Sequence, residues 1–490
     1  MAELVSTRDP NRETFSYPHA VREGLAPDGG LYVLNKCPQF GLDELQALQD
    51  QPFDIISTAV QARLIDGDVP WDDLRAMTGR AYAANKFPGT AGGNIVPVKE
   101  IGNKLWMEQL YKGPTGAFKD IPLRFIAQVL PYALNMVDYD QVFRMVGASS
   151  GDTVSAAEDP FKGVAGFEQY LITPEKGMTE FQIGQMAKLS GGNIHNLRIP
   201  GSFDDAQRMV KEIKKDPEFA DMGAVNSINV GRIFAQVAYV VAGYLQLMQR
   251  TGQEIGQPID VSIPTGNFGN AYSVYLAKMM GVPIRNIIIA TNENDLVDRL
   301  VRKGEYVATK RIITSSPSMD VSSGASNFER LLWHMVDGDS DKVRQYMGQF
   351  ERDGKVSLSS IGLDKAAFAQ LGITSGSSNH QDRLGTIRQV YADSQSVIDP
   401  HTADAVTVAR RQVDDEIPRL VLGTADQVKF EPITKEALGF VAARDERFEG
   451  MERHIQPDSF TTIAVSVEAL KSYIRVHTAR KRALGRVATA

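Results

Sequence analysis

The chain alternates short apolar runs with longer segments of helical periodicity. The apolar runs predict β-strands, and they lie at residues 142–146, 260–263, 287–290 and 420–422. Between them, apolar residues recur at spacings of three and four, as at Ile121, Phe125 and Val129, and predict helices. Strands that alternate with helices are typical of an α/β protein whose parallel sheets carry helices on both faces. In such sheets the loops after the strands form the binding site.

The pattern also predicts how the chain divides into domains. Residues 1–97 hold short helical patterns and a glycine-rich entry, and they predict a separate N-terminal domain. Residues 98–140 and 225–490 are predicted to form a large α/β domain, and residues 141–224 a small α/β domain. Residues 338–357 are charged and polar, which suggests a surface insertion. The apolar tract at 233–248 is interrupted by Gln236 and Gln246, so we expect a buried helix that is too short and polar to span a membrane.

Composition narrows the class of protein. The chain has 490 residues, of which 43% are hydrophobic and 23% charged, as in ordinary soluble globular proteins. A net charge of −7 argues against a nucleic-acid partner. Cys37 is the single cysteine, which excludes an intrachain disulfide and favours a cytoplasmic protein, and the N-terminus lacks the pattern of a secretory signal. The seven histidines show no zinc-binding spacing, so no metal is expected. The oligomeric state is left open.

One lysine stands out because of its place in the chain. It is Lys119, in the segment G-P-T-G-A-F-K-D at residues 113–120, between a tight Gly/Pro turn and a predicted helix. Pro122 suits the first turn of that helix, where no backbone N–H is needed. A solvated lysine, with a pKa near ~10.4, is a poor nucleophile, whereas burial or a neighbouring cation frees the amine for a Schiff base. Taken alone, a lysine at a helix start is more often solvated.

A second loop has the composition of a phosphate cradle. It is G-N-F-G-N, formed by Gly266, Asn267, Phe268, Gly269 and Asn270, and it lies between a predicted strand and a helical pattern. Glycines let the backbone approach an anion closely, and a helix start supplies unpaired N–H groups. The loop is not the dinucleotide motif G-x-G-x-x-G, so NAD is not indicated. The alternative is a plain strand-to-helix turn.

The loop after the strand at 142–146 allows two different enzyme classes. Its sequence G-A-S-S-G, residues 147–151, matches the G-x-S-x-G nucleophile elbow of serine hydrolases. Later acids and histidines, including His380 and His401, would supply the rest of a triad. The same loop also has the composition of an anion-binding helix start. The hydrolase hypothesis gives no role to residues 113–120 or 266–270.

Segments along nearly the whole chain resemble threonine synthases of the longer microbial and fungal type. Besides the three loops above, they are S-T-R at 6–8, G-L-A-P-D-G-G-L-Y at 24–32, N-S-I-N at 226–229, A-T-N-E-N-D at 290–295, S-S-P-S-M-D at 315–320, S-N-F-E-R at 326–330, D-P-H-T-A at 399–403 and T-A at 424–425. They follow one another in the family's order. The resemblance implies a pyridoxal-phosphate (PLP) enzyme of fold type II, similar to the tryptophan synthase β subunit.

The family's activity and cofactor site follow from this resemblance. Threonine synthases make L-threonine from O-phospho-L-homoserine and water, with release of phosphate. The resemblance implies that Lys119 holds PLP as a Schiff base and moves protons on the substrate. It also implies that residues 266–270 hold the cofactor phosphate and that the hydroxyl of Thr424 faces the pyridine nitrogen.

The resemblance also indicates a substrate site. The loop that clamps the substrate's α-carboxylate would be formed by Ser149, Ser150, Gly151, Asp152 and Thr153. The candidates for the substrate's phosphate are Lys112, Arg232, Asn327 and Lys429, because Arg and Lys complement phosphate.

The chain departs from the family pattern close to the predicted site. The departures are Lys112, Val154, Val230-Gly231, Asn270 and Asp426-Gln427. They leave the lysine in place but lie near the substrate. A divergent paralogue acting on another γ-substituted or phosphonate amino acid is therefore an alternative.

Overall fold

The computed structural model describes residues 3–90, 93–102, 104–148, 152–224, 227–412 and 416–487. The chain divides into two compact units. The first unit contains residues 1–137 and 227–447, and the second unit contains residues 138–226 and 448–490.

Strands and helices alternate along the chain. The strands are β1 (Leu4–Ser6), β2 (Tyr32–Leu34), β3 (Val98–Gly102), β4 (Leu105–Gln109), β5 (Phe143–Ala148), β6 (Phe167–Pro174), β7 (Ile194–Ile199), β8 (Gly223–Ala224), β9 (Ile259–Pro264), β10 (Ile284–Thr291), β11 (Glu305–Val307), β12 (Lys355–Ser357), β13 (Ile373–Ser377), β14 (Arg419–Gly423) and β15 (Thr461–Thr462). The α-helices are α1 (Tyr17–Glu23), α2 (Leu42–Leu48), α3 (Phe53–Ile65), α4 (Trp71–Ala81), α5 (Asp120–Asn135), α6 (Asp152–Glu158), α7 (Glu180–Leu189), α8 (Phe203–Ile213), α9 (Val230–Thr251), α10 (Gly269–Met279), α11 (Leu296–Lys303), α12 (Phe328–Met335), α13 (Ser340–Asp353), α14 (Ala366–Gln370), α15 (His380–Ser394), α16 (Pro400–Arg410), α17 (Glu431–Leu438) and α18 (Val467–Val487).

The first unit is built on a sheet with the strand order β13-β10-β9-β14-β4-β3. Its strands pair in parallel except for the edge strand β3, which is antiparallel to β4. Helices cover both faces. On one face Met107 and Val421 pack in the same cluster as residues of α15 and α16, and on the other Glu108 and Leu420 lie against Gly243 of α9. The predicted α/β class with parallel sheets is confirmed.

The N-terminal segment packs into this same unit. The ring of Tyr17 in α1 stacks on Phe234 in α9, with ring centres 5.5 Å apart. Gln61 in α3 donates a hydrogen bond to the carbonyl of Phe234 at 2.8 Å. The separate domain predicted for residues 1–97 therefore lies within a larger compact unit, and its boundary stays a prediction.

The second unit has its own parallel sheet, in the order β15-β7-β6-β5-β8. Apolar residues of its strands pack against α8 and α18 on one face, and α6 and α7 lie on the other. Residues 448–490 are part of this unit because Thr461 pairs with Leu197 of β7, and Leu470 and Ile474 of α18 enter its core. The sequence division placed these residues in the large domain, and the compact unit differs from it here.

Two further expectations concern the first unit. Residues 338–357, predicted as a surface insertion, contain α13, which buries Val343, Tyr346 and Phe350. The apolar tract at 233–248 lies within α9, a 22-residue helix, which among the described residues is the one helix long and apolar enough to cross a membrane. Of the residues in its most apolar stretch, 94% are buried, so the predicted buried helix is confirmed. The expectation that it is too short and polar to span a membrane is wrong by length and composition.

Candidate active site

Lys119 lies directly before α5 and is half-buried. Asp120, the first residue of α5, is 1% exposed and accepts two hydrogen bonds from Thr115, from the backbone N–H at 2.9 Å and from Oγ1 at 2.6 Å. The position of this carboxylate explains why residue 113 is a glycine, because a Cβ at Gly113 would clash with the Asp120 side chain. Gly116 has a φ of +70°, which favours glycine. The loop sequence thus fixes the backbone that presents Lys119.

Backbone hydrogen bonds join residues 113–120, which we call the lysine loop, to Thr424, the residue after β14. The carbonyl of Thr424 accepts from the N–H of Phe118 at 2.9 Å, and the N–H of Asp426 donates to the carbonyl of Gly116 at 2.8 Å. Thr424 is 8% exposed. Because β4 and β14 are parallel neighbours, the loops after them meet at one edge of the sheet.

The glycine-rich loop follows β9, on the other side of β14. A Cβ at Gly266 would lie 2.8 Å from the carbonyl oxygen of Ser318 and 3.1 Å from Cα of Met319, so the backbone leaves no room for a side chain. Phe268 has a φ of +66°, which is uncommon for a residue other than glycine, and α10 begins directly after it. Such strained positions cluster at ligand-binding sites.

The polar groups of this loop fit an anion. Within the described part of the chain, no group accepts a hydrogen bond from the backbone N–H groups of residues 267–270. The same holds for Nδ2 of Asn270, a residue only 9% exposed, although its Oδ1 accepts a hydrogen bond from the Tyr239 hydroxyl at 2.6 Å. Buried donors are usually paired, and a phosphate at this helix start would pair them.

Asn327 and Arg330 support the loop from the start of α12. Asn327 is fully buried, and its Nδ2 donates to the carbonyls of Asn267 at 3.0 Å and Ser227 at 3.1 Å. Its Oδ1 accepts from Arg330, whose guanidinium also donates to the carbonyl of Tyr32 at 2.9 Å. Burial lowers the pKa of Arg330 to about 10. The side chain of Asn327 is therefore held by backbone and by Arg330.

The other candidates for the substrate phosphate lie in different surroundings. Lys429 is buried, and its Nζ donates to the carbonyl of Thr115 at 3.2 Å, inside the lysine loop. Arg232 lies in the first turn of α9, where burial lowers its pKa to about 10. Lys112 is half-buried, and burial lowers the pKa of its amine. Convergence of these side chains on one ligand stays a prediction.

The predicted carboxylate clamp falls partly outside the described residues. Ser149, Ser150 and Gly151 are not among them. Asp152 begins α6, and the half-buried Thr153 follows it in the second unit. The role of these five residues stays a prediction.

Comparison with known proteins identifies the family of this chain. The model of the threonine synthase N terminus matches residues 3–82, that of pyridoxal-phosphate dependent enzymes residues 94–349, and that of the threonine synthase C-terminal domain residues 402–474. The chain is 37% identical to a threonine synthase of Methylobacillus glycogenes, over 97% of this chain and 100% of that protein. The chain belongs to the threonine synthase family. A threonine synthase of Corynebacterium glutamicum is 38% identical over 96% of this chain and 98% of its own length.

Solved structures of threonine synthases agree with this assignment. The PLP-bound threonine synthase of Brucella melitensis matches with a TM-score of 0.89 and 32% identity, covering 98% of this chain and 100% of that one. The yeast threonine synthase matches with a TM-score of 0.87 and 29% identity, over 98% and 99% of the two chains. The predicted fold type II and the PLP cofactor are confirmed. The serine hydrolase hypothesis is not favoured.

Three polar residues beside the site were not predicted from the sequence. They are Asp120, which fixes the lysine loop, Arg330, which holds Asn327, and Tyr239, which orients Asn270. An arginine in the apolar segment F-E-R-L-L-W, residues 328–333, is a signal of a buried pairing role. For Tyr239, in a long apolar helix, the sequence carries no comparable signal.

Proposed function

We propose that this chain converts O-phospho-L-homoserine and water into L-threonine and inorganic phosphate, with PLP as its cofactor. One structural observation supports the proposal in addition to family membership. The neighbouring parallel strands β9, β14 and β4 lead into the glycine-rich loop, Thr424 and the lysine loop in turn. These loops meet at one end of the sheet, and we propose that they form the PLP site.

Residues of the first unit would hold the cofactor. The backbone N–H groups of residues 267–270 and Nδ2 of Asn270 would donate to its phosphate, since these donors have no other partner among the residues described. Lys119 would attach it covalently, and the hydroxyl of Thr424 would lie at its ring nitrogen. When bound, PLP supplies an electron sink for carbanions at the substrate's carbon atoms.

The amine of Lys119 would then carry protons. Once free, this amine would take a proton from Cα and then one from Cβ of the substrate. The phosphate would leave Cγ with the electron pair of its C–O bond, and Cγ would receive one of the two protons. The hydroxyl of water would then add at Cβ, its remaining proton would go to the released phosphate, and Cα would regain a proton. Thr115 and Asp120 keep the loop in place while the lysine side chain moves.

The four candidates for the substrate phosphate would act in two ways. Asn327 and Lys429 already bind backbone carbonyls of the two site loops, so we assign them to holding these loops. We assign Lys112 and Arg232 to direct contact with phosphate, because both are cations. The loop at residues 149–153 would bind the α-carboxylate.

Covalent trapping tests the role of Lys119. Borohydride reduction of the purified holoenzyme, followed by peptide mapping, should place the cofactor on Lys119 alone. Lys119→Ala should fold, bind PLP only reversibly and show no turnover, because no other amine is expected in reach. Lys112→Ala is the matched control and should keep the label on Lys119. Label on Lys112 or Lys429 would overturn the assignment.

Substrate comparison tests the reaction. A dianionic phosphate needs several charge-assisted donors, each worth about 1.5–3 kcal/mol. Loss of two of them on a neutral ester should lower kcat/KM by at least about 100-fold. We therefore expect strong preference for O-phosphohomoserine over O-acetylhomoserine. Equal turnover of the acetyl ester, or turnover of a phosphonate substrate in place of the phosphate, would identify a divergent paralogue instead.

We further propose that the enzyme works in the cytoplasm. Its single, half-buried cysteine supports this, because one cysteine cannot form the intrachain disulfides that are typical of proteins in oxidising compartments. Fractionation with activity in a membrane or secreted fraction would contradict it.

A further inference from the structure

The imidazole of His401 is buried, and both of its nitrogens are engaged. The residue is 2% exposed and lies in the first turn of α16. Nδ1 lies 2.7 Å from Oδ1 of Asp399, and Nε2 lies 3.1 Å from the backbone nitrogen of Ser318. A backbone N–H can only donate, so Nε2 is the acceptor and Nδ1 carries the proton that Asp399 binds.

On its Nε2 side, His401 fixes the segment behind the glycine-rich loop. The carbonyl of Ser318 and Cα of Met319 form the wall against which Gly266 lies. The N–H of Ser318 is thus held by His401 while its carbonyl borders Gly266. A movement of this segment would change the shape of the loop proposed to hold the cofactor phosphate.

On its Nδ1 side, His401 joins Asp399 and through it Thr424. The carboxylate of Asp399 also accepts hydrogen bonds from the hydroxyl and the backbone N–H of Thr402. The Thr402 hydroxyl in turn accepts from the N–H of Thr424 at 3.3 Å. A continuous chain of hydrogen bonds therefore runs from Ser318 to Thr424, and Thr424 binds the backbone of Phe118 next to Lys119.

We propose that His401 is a positioning residue that holds the phosphate end and the ring end of the cofactor site at a fixed separation. The inference rests on the proposed function only in that the site holds PLP. The two nitrogens of the His401 imidazole contribute unequally to this positioning. Asp399 keeps three donors without the imidazole, the backbone N–H of His401 among them, whereas Ser318 loses the acceptor that the ring provides.

Two substitutions separate the nitrogens of the ring. The amide of His401→Gln can place its oxygen near the position of Nε2 and accept from Ser318. The amide of His401→Asn can place its nitrogen near Nδ1 and donate to Asp399, but it leaves Ser318 without this acceptor. If His401 only filled space, the Gln and Asn variants would weaken the protein to the same extent.

The test compares PLP binding and amide exchange in the apoenzymes. Dissociation constants from titration with PLP should rise about tenfold in His401→Asn, the cost of a partly buried N–H that loses its acceptor, and much less in His401→Gln. Hydrogen–deuterium exchange of the peptide with Ser318 should accelerate in His401→Asn alone. His334→Asn is the control, because His334 is half-buried and its ring also forms a hydrogen bond, but with Tyr272. It should leave both readouts unchanged.

The outcomes distinguish the inference from the proposed function. If wild-type apoenzyme does not bind PLP, the proposed function fails. If it binds, and the Asn and Gln variants weaken binding equally or in the reverse order, the inference is wrong. Should a variant not fold, exchange in the wild-type holoenzyme still decides: the Ser318 amide must be strongly protected, and fast exchange there would overturn the proposal.

Discussion

Removal of the Asp120 carboxylate should disable the enzyme through the position of Lys119. The carboxylate is 1% exposed and accepts from both the N–H and the hydroxyl of Thr115, itself 3% exposed. Hydrogen bonds to a charged group contribute about 1.5–3 kcal/mol each. Loss of the pair therefore amounts to at least about 3 kcal/mol, or more than 100-fold in kcat/KM if the loop must be restored in the transition state. We expect Asp120→Ala to reach this loss.

A double-mutant cycle with Thr115 measures the hydroxyl bond alone. Thr115→Val should lower kcat/KM by about 10- to 100-fold in the wild type. It should have little effect beside Asp120→Ala, because the bond to Asp120 is then already absent. Thr115→Ser keeps the hydroxyl and is the matched control. The assay is initial-rate kinetics with thermal unfolding of each variant. Equal effects of Thr115→Val in both backgrounds would refute the bond, and lower stability with unchanged kcat/KM would show that the loop supports the fold rather than Lys119.

Two further predictions concern buried groups of the first unit. Burial raises the pKa of Glu108 well above its usual range, and among the described residues neither carboxyl oxygen has a partner. The folded state therefore keeps a proton that the unfolded chain loses above about pH 4.3, so stability should fall by up to about 1.4 kcal/mol per pH unit from there to the folded pKa. Glu108→Gln should remove this slope in unfolding measured at several pH values, and identical slopes would contradict it. Gly266→Ala should weaken PLP binding at least about tenfold by displacing the Ser318 backbone, whereas Gly385→Ala, in open space on α15, should leave the dissociation constant unchanged.

The sequence indicates candidate reacting residues more readily than the contacts that hold them. Lys119 and the loop at 266–270 stand out as candidates because glycine turns and helix starts are local patterns. The pairings of Asp120 with Thr115 and of Arg330 with Asn327 depend on close packing, which spacing alone does not show. Residues 448–490 group with the second unit through a strand that pairs with β7, far away in sequence, and spacing alone does not show this pairing either.

The second unit is made from two distant parts of the chain, and this bears on synthesis. On the ribosome, residues 138–226 emerge long before β15 and α18, which complete their sheet edge and core. Until then the edge of β7 and the apolar surface that receives Leu470 and Ile474 have no covering partner from the finished fold. Domains generally fold as units during translation. This one cannot close until residues beyond 470 have been made, so it is completed later in synthesis than the first unit, which ends at residue 447.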